Sequence, residues 1–370
     1  MTGRWINSAD SHVYEPYELW SAPLGTKWGE TVPRFLDPTA GETRRTYFNG
    51  EIYLPEDDFV GDSEEMKAKV KRACEDPVFR MACMDEDRTY AELLGPTYTL
   101  MTFPLKNHDL ARDCFAVYND WLAEYCGAGP KRLLGAALIH MADVDWAVKE
   151  LERAAKIGLR CVMINVDTGP GWGSYQERKY DPFWARASEM RFPVVLHIST
   201  GQKPDMFTMT GEQSRDIPRA YLDLFGEIGG VLANEFIFGG VFDRFPNLQI
   251  VLGEFEASWI PPWLFRMEQL EKDFGPNLEL SYPDRPFREY LPRIHIGIID
   301  DPMLDTVTNY IDPNTLIWGS DFPHVRNTYL KSHQVIGDII GHLDADTVDN
   351  ITRRKMVELF DIDMSAVDAG

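Results

Sequence analysis

The chain has 370 residues, of which 44% are hydrophobic, 12% aromatic and 26% charged, with a formal net charge of -22 and a pI near 4.7. This is the composition of a folded globule, and so acidic a surface repels phosphate backbones, which excludes nucleic acid as a partner. No basic stretch leads into an apolar one at the start, and no apolar run approaches the ~18 residues of a membrane span, so the expected setting is the cytoplasm, without a membrane partner.

Eight runs read as strands: 5–13, 91–102, 133–140, 160–166, 193–199, 248–255, 293–299 and 315–320. Several, such as VVLHIS and LQIVLGEF, are unbroken aliphatic stretches, as expected of strands covered on both faces. Helical stripes separate them. In 110–126 the stripe is Leu110, Cys114, Val117, Trp121, Leu122 and Tyr125. Asp143 caps the next helix, whose apolar face is Val144, Ala147, Val148, Leu151, Ala154 and Ala155, and Gly158 ends it. Further helical patterns cover 180–190, 219–245, 261–274 and 345–360. Eight strand–helix units with parallel strands favour a closed (β/α)₈ TIM barrel over an open sheet. The whole of 1–370 reads as one domain. Residues 20–78 form a long insertion after the first strand, and 200–218 a long loop after the fifth. Both leave the strand ends where barrel active sites lie, as pocket walls or lids. The cysteines at 74, 83, 114, 126 and 161 are scattered, odd in number and without a CxxC pair, as reduced buried thiols are.

The strand ends carry the chemistry. Asp10 and His12 are two apart and share a face of the first strand. His197 ends the fifth, and Asp321 and His324 follow the eighth. On one barrel rim these imidazoles and carboxylates suit a single divalent ion, Zn²⁺ or Mn²⁺. Glu15 is expected to make a structural ion pair or hydrogen bond near the rim. Trp172 in GPGWG, Trp259 and the Met206–Phe207 pair are candidates for a planar apolar lining. Arg326 is a candidate for a bidentate hold on a substrate carboxylate. His108, His140, His295, His333 and His342 are taken as structural.

The motifs ADSHVYEP at 9–16, YNDWLAEY at 118–125, GPKRLLGAALIH at 129–140, VVLHIST at 194–200, GGVFDRFPNLQIVLGEFEASWIPPWL at 239–264 and WGSDFPH at 318–324 run nearly the length of the chain. In them the sequence resembles the amidohydrolase superfamily, in the branch with aminocarboxymuconate-semialdehyde and resorcylate-type decarboxylases. The resemblance implies a distorted (β/α)₈ barrel with one catalytic metal, and a homodimer. It places metal ligands at Asp10, His12, His197 and Asp321, with Asp321 also transferring a proton. Two positions depart from the pattern. Asp10 stands where relatives carry His or Glu. Glu254 stands where the decarboxylases carry a catalytic His, as a ligand, an acid/base or the partner of a substrate hydroxyl. The fourth strand, RCVMINV, has no lysine to carbamylate, which favours a mononuclear site. His324 falls where some relatives place a pocket wall.

The expected activity is non-oxidative decarboxylation of an aromatic or muconate-type carboxylic acid, with Asp321, Glu254 and His324 as the catalytic candidates. The alternative is a metal-dependent hydrolase of an amide, lactone or C–C bond, using a metal-activated water.

Overall fold

Short runs of small and branched apolar residues, buried along their whole length, set the frame. In the computed structural model, which describes residues 4–36, 45–48, 51–55, 63–201, 211–275 and 285–368, the strands in chain order are β1 (Ile6–His12), β2 (Arg34–Leu36), β3 (Arg45–Phe48), β4 (Glu51–Pro55), β5 (Thr89–Gly95), β6 (Leu133–Ile139), β7 (Cys161–Ile164), β8 (Val194–His197), β9 (Ile250–Gly253), β10 (Ile294–Ile298) and β11 (Leu316–Trp318). Eight of them pair in parallel in the order β1-β5-β6-β7-β8-β9-β10-β11, with helices between them. This is the expected (β/α)₈ barrel, nearly closed. The insertion after β1 has structure of its own: a helix over Ser21–Trp28, the antiparallel sheet β2-β3-β4, and a helix over Glu64–Glu75. No helix among the described residues is long and apolar enough to cross a membrane.

Three elements differ from their expected bounds. The run 91–102 yields a strand only to Gly95, because Pro96 has no N–H to continue a ladder; its tail winds into a 3₁₀ turn over Tyr98–Thr102. The pattern over 219–245 is divided into a helix over Ile217–Val231, a π turn over Leu232–Ile237 and a short helix over Val241–Arg244, the break falling at Gly239 and Gly240. A second π turn, Asn350–Arg354, interrupts the last long helical stretch. The Asp143 cap forms as expected, its carboxylate accepting from the Trp146 amide at 3.0 Å.

Closure between β1 and β11 is thin in backbone terms. One parallel bridge joins Ser11 and Phe322, with His12 N donating to Phe322 O at 2.7 Å and Asp321 N to Asp10 O at 2.8 Å. Side chains make up the rest. The hydroxyls of Ser8, Ser11 and Ser320 lie 2.9 to 3.1 Å from one another, and Ser320 N donates to Ser8 Oγ at 2.8 Å. From the helix Pro77–Glu86, the wholly buried Arg80 pairs with Glu92 at 2.7 Å. It also donates to His12 O at 2.9 Å and Phe322 O at 3.3 Å, and stacks on the Phe322 ring. One guanidinium thereby ties both strands of the seam.

Removing one partner of such a pair leaves the other charge buried and uncompensated. Arg80→Met is expected to lower the unfolding free energy by about 3–5 kcal/mol, measured as a fall in the denaturation midpoint. Arg80→Met with Glu92→Leu should recover part of that loss. A single variant as stable as the parent would show that the seam does not depend on this arginine.

Candidate metal centre

The six candidate residues meet at the C-terminal rim of the barrel. His12 Nε2 lies 3.3 Å from Asp10 Oδ1, 3.3 Å from Glu254 Oε1 and 3.5 Å from Asp321 Oδ1. His197 Nε2 lies 3.4 Å from Asp10 Oδ1 and 3.6 Å from Glu254 Oε1. His324 Nδ1 lies 2.8 Å from Asp321 Oδ1 and 3.2 Å from Glu254 Oε1, and its ring stacks on that of His12 with centroids 3.9 Å apart. The donor atoms form two overlapping sets, each within 4.8 Å: Asp10, His12, His197 and Glu254; and His12, Glu254, Asp321 and His324.

Local backbone geometry aims these groups. Asp10 and His12 project from one face of β1, as their spacing requires. Glu254 and Asp321 lie just past the ends of β9 and β11 with φ of 65° and 54°, a left-handed conformation that costs a non-glycine residue about 1–3 kcal/mol and persists only where the surroundings impose it. Gly253 is needed for space: a Cβ there would fall 2.3 Å from His197 Cδ2 and 3.2 Å from Asp10 Oδ2. Behind Glu254, the Glu256 carboxylate accepts from the amides of Ile299 and Asp300, and Asp301 accepts from those of Ala257 and Ser258. The loops after β9 and β10 are thus cross-locked.

Four buried side-chain atoms of the rim have no hydrogen-bond partner: Asp10 Oδ2, His12 Nε2, His197 Nε2 and Asp321 Oδ1. They belong to the four residues expected to be ligands. Some lie at ion-pairing distance from opposite charges without hydrogen-bond alignment, so the groups do not satisfy one another. Meanwhile His12 Nδ1 lies 2.7 Å from Pro96 O and His197 Nδ1 2.7 Å from Ile198 O. A carbonyl only accepts, so each Nδ1 carries a proton and each Nε2 offers its lone pair to the centre once the ring is neutral. Imidazoles held in this way by a second hydrogen bond are characteristic of metal ligands. The donor set, mixed imidazole and carboxylate, fits one divalent cation of the Zn²⁺ or Mn²⁺ type.

Burial opposes every charge here, and the neighbours decide the outcome. Against burial, His197 and His12 hold Asp10 below the usual carboxylate range, and His197, His12 and His324 hold Glu254 well below it. Also against burial, Glu254 and Asp10 lift His197 to about 9. Asp10 and Glu254 raise His12 despite burial and the His324 charge. Asp321 and Glu254 hold His324 well above the ordinary imidazole range. Asp321 goes the other way for a carboxyl: burial pushes it up to about 7, with Glu254 adding to the rise and His324 and His12 opposing it.

The remaining candidates lie elsewhere. Trp172 is buried against the rings of His108 and His140, with centroids 5.3 and 5.1 Å away. His140 follows the last residue of β6, a strand-end position like that of His197, and has a buried Nε2 without a partner; that placement sets it apart from an ordinary core histidine. Arg326 is engaged by Asp300 and by Glu256, the latter at 3.0 Å, so its guanidinium braces the cross-locked loops. Phe207, with Met206 and Met209, lies outside the described residues. Sequence reasoning missed Arg80, Pro96 and Thr97, which contact the histidine loops or rings through pairings distant in the chain; no local pattern marks them.

Comparison with known proteins places the chain in a family. The amidohydrolase family model matches residues 69–353. A gamma-resorcylate decarboxylase of Rhodococcus jostii (strain RHA1) is 31% identical over 200 residues, covering 51% of this chain and 58% of that relative; the match thus spans under two thirds of the relative's length. Among solved structures, an amidohydrolase from Mycobacterium avium subsp. paratuberculosis K-10 superposes with a TM-score of 0.78 at 18% identity, covering 99% of this chain and 100% of the other. A 5-carboxyvanillate decarboxylase from Novosphingobium aromaticivorans DSM 12444, solved with manganese and 3-methoxy-4-hydroxy-5-nitrobenzoic acid, has a TM-score of 0.69 at 18% identity and covers 97% of each chain. At these identities the structural likeness is one of fold. The family match covers well over half the chain and agrees with the barrel: this protein belongs to the amidohydrolase family.

Proposed function

We propose that the protein is a metal-dependent, non-oxidative decarboxylase of an aromatic carboxylic acid. The observation that carries this reading is the rim itself: unpartnered ligand atoms on Asp10, His12 and His197 beside a fourth on Asp321, whose carboxyl burial pushes up to about 7. The decarboxylase names of relatives and structural neighbours agree with it. Asp10, His12, His197 and Asp321 would hold a divalent ion, which would supply Lewis-acid charge to stabilise negative charge developing on the substrate.

The chain's own residues do the proton work. Asp321, which can hold a proton beside the ion only as the anionic substrate offsets the ion's charge, donates that proton to the ring carbon that bears the carboxylate. The C–C bond then breaks, its electron pair restores the aromatic system, and CO₂ leaves. Asp321 is left ionised. His324, with Nδ1 between Asp321 and Glu254 and held as an imidazolium by both, is placed to return a proton to it. Glu254, held ionised, keeps His324 charged and oriented. Trp172, buried against His108 and His140, remains a candidate for the pocket lining; Phe207, the other candidate, lies outside the described residues. The five cysteines are buried and unpaired, which supports a cytoplasmic setting; a homodimer follows from the family resemblance.

A panel of hydroxybenzoates assayed for CO₂ with Mn²⁺- or Zn²⁺-loaded protein tests the reading. The expected result is CO₂ release with no solvent oxygen in the organic product; oxygen incorporation without CO₂ would instead identify a hydrolase. Asp321→Asn should cut the rate at least about a hundredfold, the usual scale for loss of a general acid, while metal content by elemental analysis stays near the parent's. Unchanged turnover in that variant would remove Asp321 from the proton step.

Metal binding itself should depend on pH. His197 carries a proton up to about 9 in the metal-free site, and a metal must displace it. Affinity should therefore rise with pH through neutrality, by roughly tenfold per unit for each proton displaced, and level off as pH passes that value. Calorimetric titration with Mn²⁺ in buffers of differing ionisation enthalpy measures the proton release. A dissociation constant that is flat from pH 6 to 9 would exclude His197 as a ligand.

A further inference from the structure

The loop that follows β5 contributes no ligand, yet it touches two of the rim histidines. Pro96 O accepts from His12 Nδ1 at 2.7 Å, and Thr97 Oγ1 lies 3.1 Å from His324 Nε2. The same loop is gripped by one buried side chain that reaches across from the residues after β1. Glu15 Oε2 accepts from the amides of Thr97 at 3.3 Å and Tyr98 at 3.0 Å. Its Oε1 accepts from the Thr99 amide at 2.8 Å and the Thr99 hydroxyl at 2.5 Å. Glu15 is 2% exposed, so water does not substitute for these bonds. Both oxygens face donors, three of them backbone amides, which suits an ionised carboxylate and not an amide.

We propose that Glu15 is a positioning residue for the centre. By fixing the loop 96–99, it places the Pro96 carbonyl and the Thr97 hydroxyl so that His12 presents Nε2 to the cluster and His324 presents Nδ1 to Asp321 and Glu254. The inference rests on the reading of His12 as a ligand and His324 as a proton carrier, but not on any particular substrate. Two histidines from different strand ends are thereby set by one carboxylate that touches neither ring. Groups at this remove from a metal govern affinity through the orientation of the ligands they support.

The test uses the full chain without substrate, so its outcome is separable from that of the decarboxylation assay. Glu15→Gln keeps the shape and turns one acceptor into a donor facing an N–H. In the folded variant, the nitrogen NMR signals of His12 and His324 should both move, and Mn²⁺ binding should weaken roughly ten- to a hundredfold. Thr102→Val serves as the control: its hydroxyl donates to Thr99 O in the same loop and not to a histidine, so both signals and the Mn²⁺ affinity should stay as in the parent. Thr97→Val leaves the amide clamp in place; it should shift the His324 signals and spare those of His12, and Thr97→Ser should restore them. If Glu15→Gln does not fold, the Thr97 pair decides. The proposal is overturned if folded Glu15→Gln binds Mn²⁺ within twofold of the parent with both imidazole signals unmoved, if Thr102→Val matches the Glu15→Gln effect, or if Thr97→Val leaves the His324 signals in place.

Discussion

Closing a barrel requires its first and last strands to meet, and here both carry groups of the centre. Asp10 and His12 stand on β1, Asp321 just beyond β11, and only a few backbone bonds join the two. The distance between these groups is set by whatever holds that seam: the three serine hydroxyls on one side and the Arg80 guanidinium on the other. A hydroxyl cluster is compact and directional, and a planar guanidinium reaches two carbonyls at once. Together they do by side chain what a longer ladder would do by main chain, and leave the strand ends free to turn their carboxylates inward.

The electrostatics of the rim follow from that closeness. Six ionisable side chains within one buried mouth cannot all be neutral or all be charged at low cost. The protein resolves this by alternating signs, with histidines raised and two carboxylates lowered. Asp321 is the exception, pushed up where burial and Glu254 act together. The alternation gives attraction while Asp10 Oδ2, His12 Nε2, His197 Nε2 and Asp321 Oδ1 stay without hydrogen-bond partners, so these four atoms have no such bond to give up before an ion engages.

Much of this was legible in the chain. The aliphatic runs named the barrel strands, and their ends named Asp10, His12, His197, Asp321 and His324, because a parallel barrel delivers all strand ends of one polarity to one rim. Glu254 could be singled out only against a family pattern, since a glutamate after LG carries no signal by itself. What lay beyond reading was contact between loops. Arg80 and His12 are 68 positions apart, and nothing in the periodicity of either segment records their meeting. Arg326 shows the converse limit: an arginine after the last strand reads as a free cation, and only the fold reveals that Glu256 and Asp300 engage it. Helix continuity over 219–245 was overestimated because a stripe pattern survives a π turn and a glycine pair that the backbone does not pass unbroken.

The helix that carries Arg80 starts at Pro77, capped by Asp76, at the very end of the insertion, directly after the helix Glu64–Glu75. The insertion and the closing seam are therefore neighbours along the chain. Anyone exchanging the insertion after β1 between relatives has a natural cut site ahead of Asp76, the cap of the helix that carries Arg80. A junction placed a single helical turn later would carry off the cap, and one placed beyond Arg80 would transplant part of the closing seam together with the insertion.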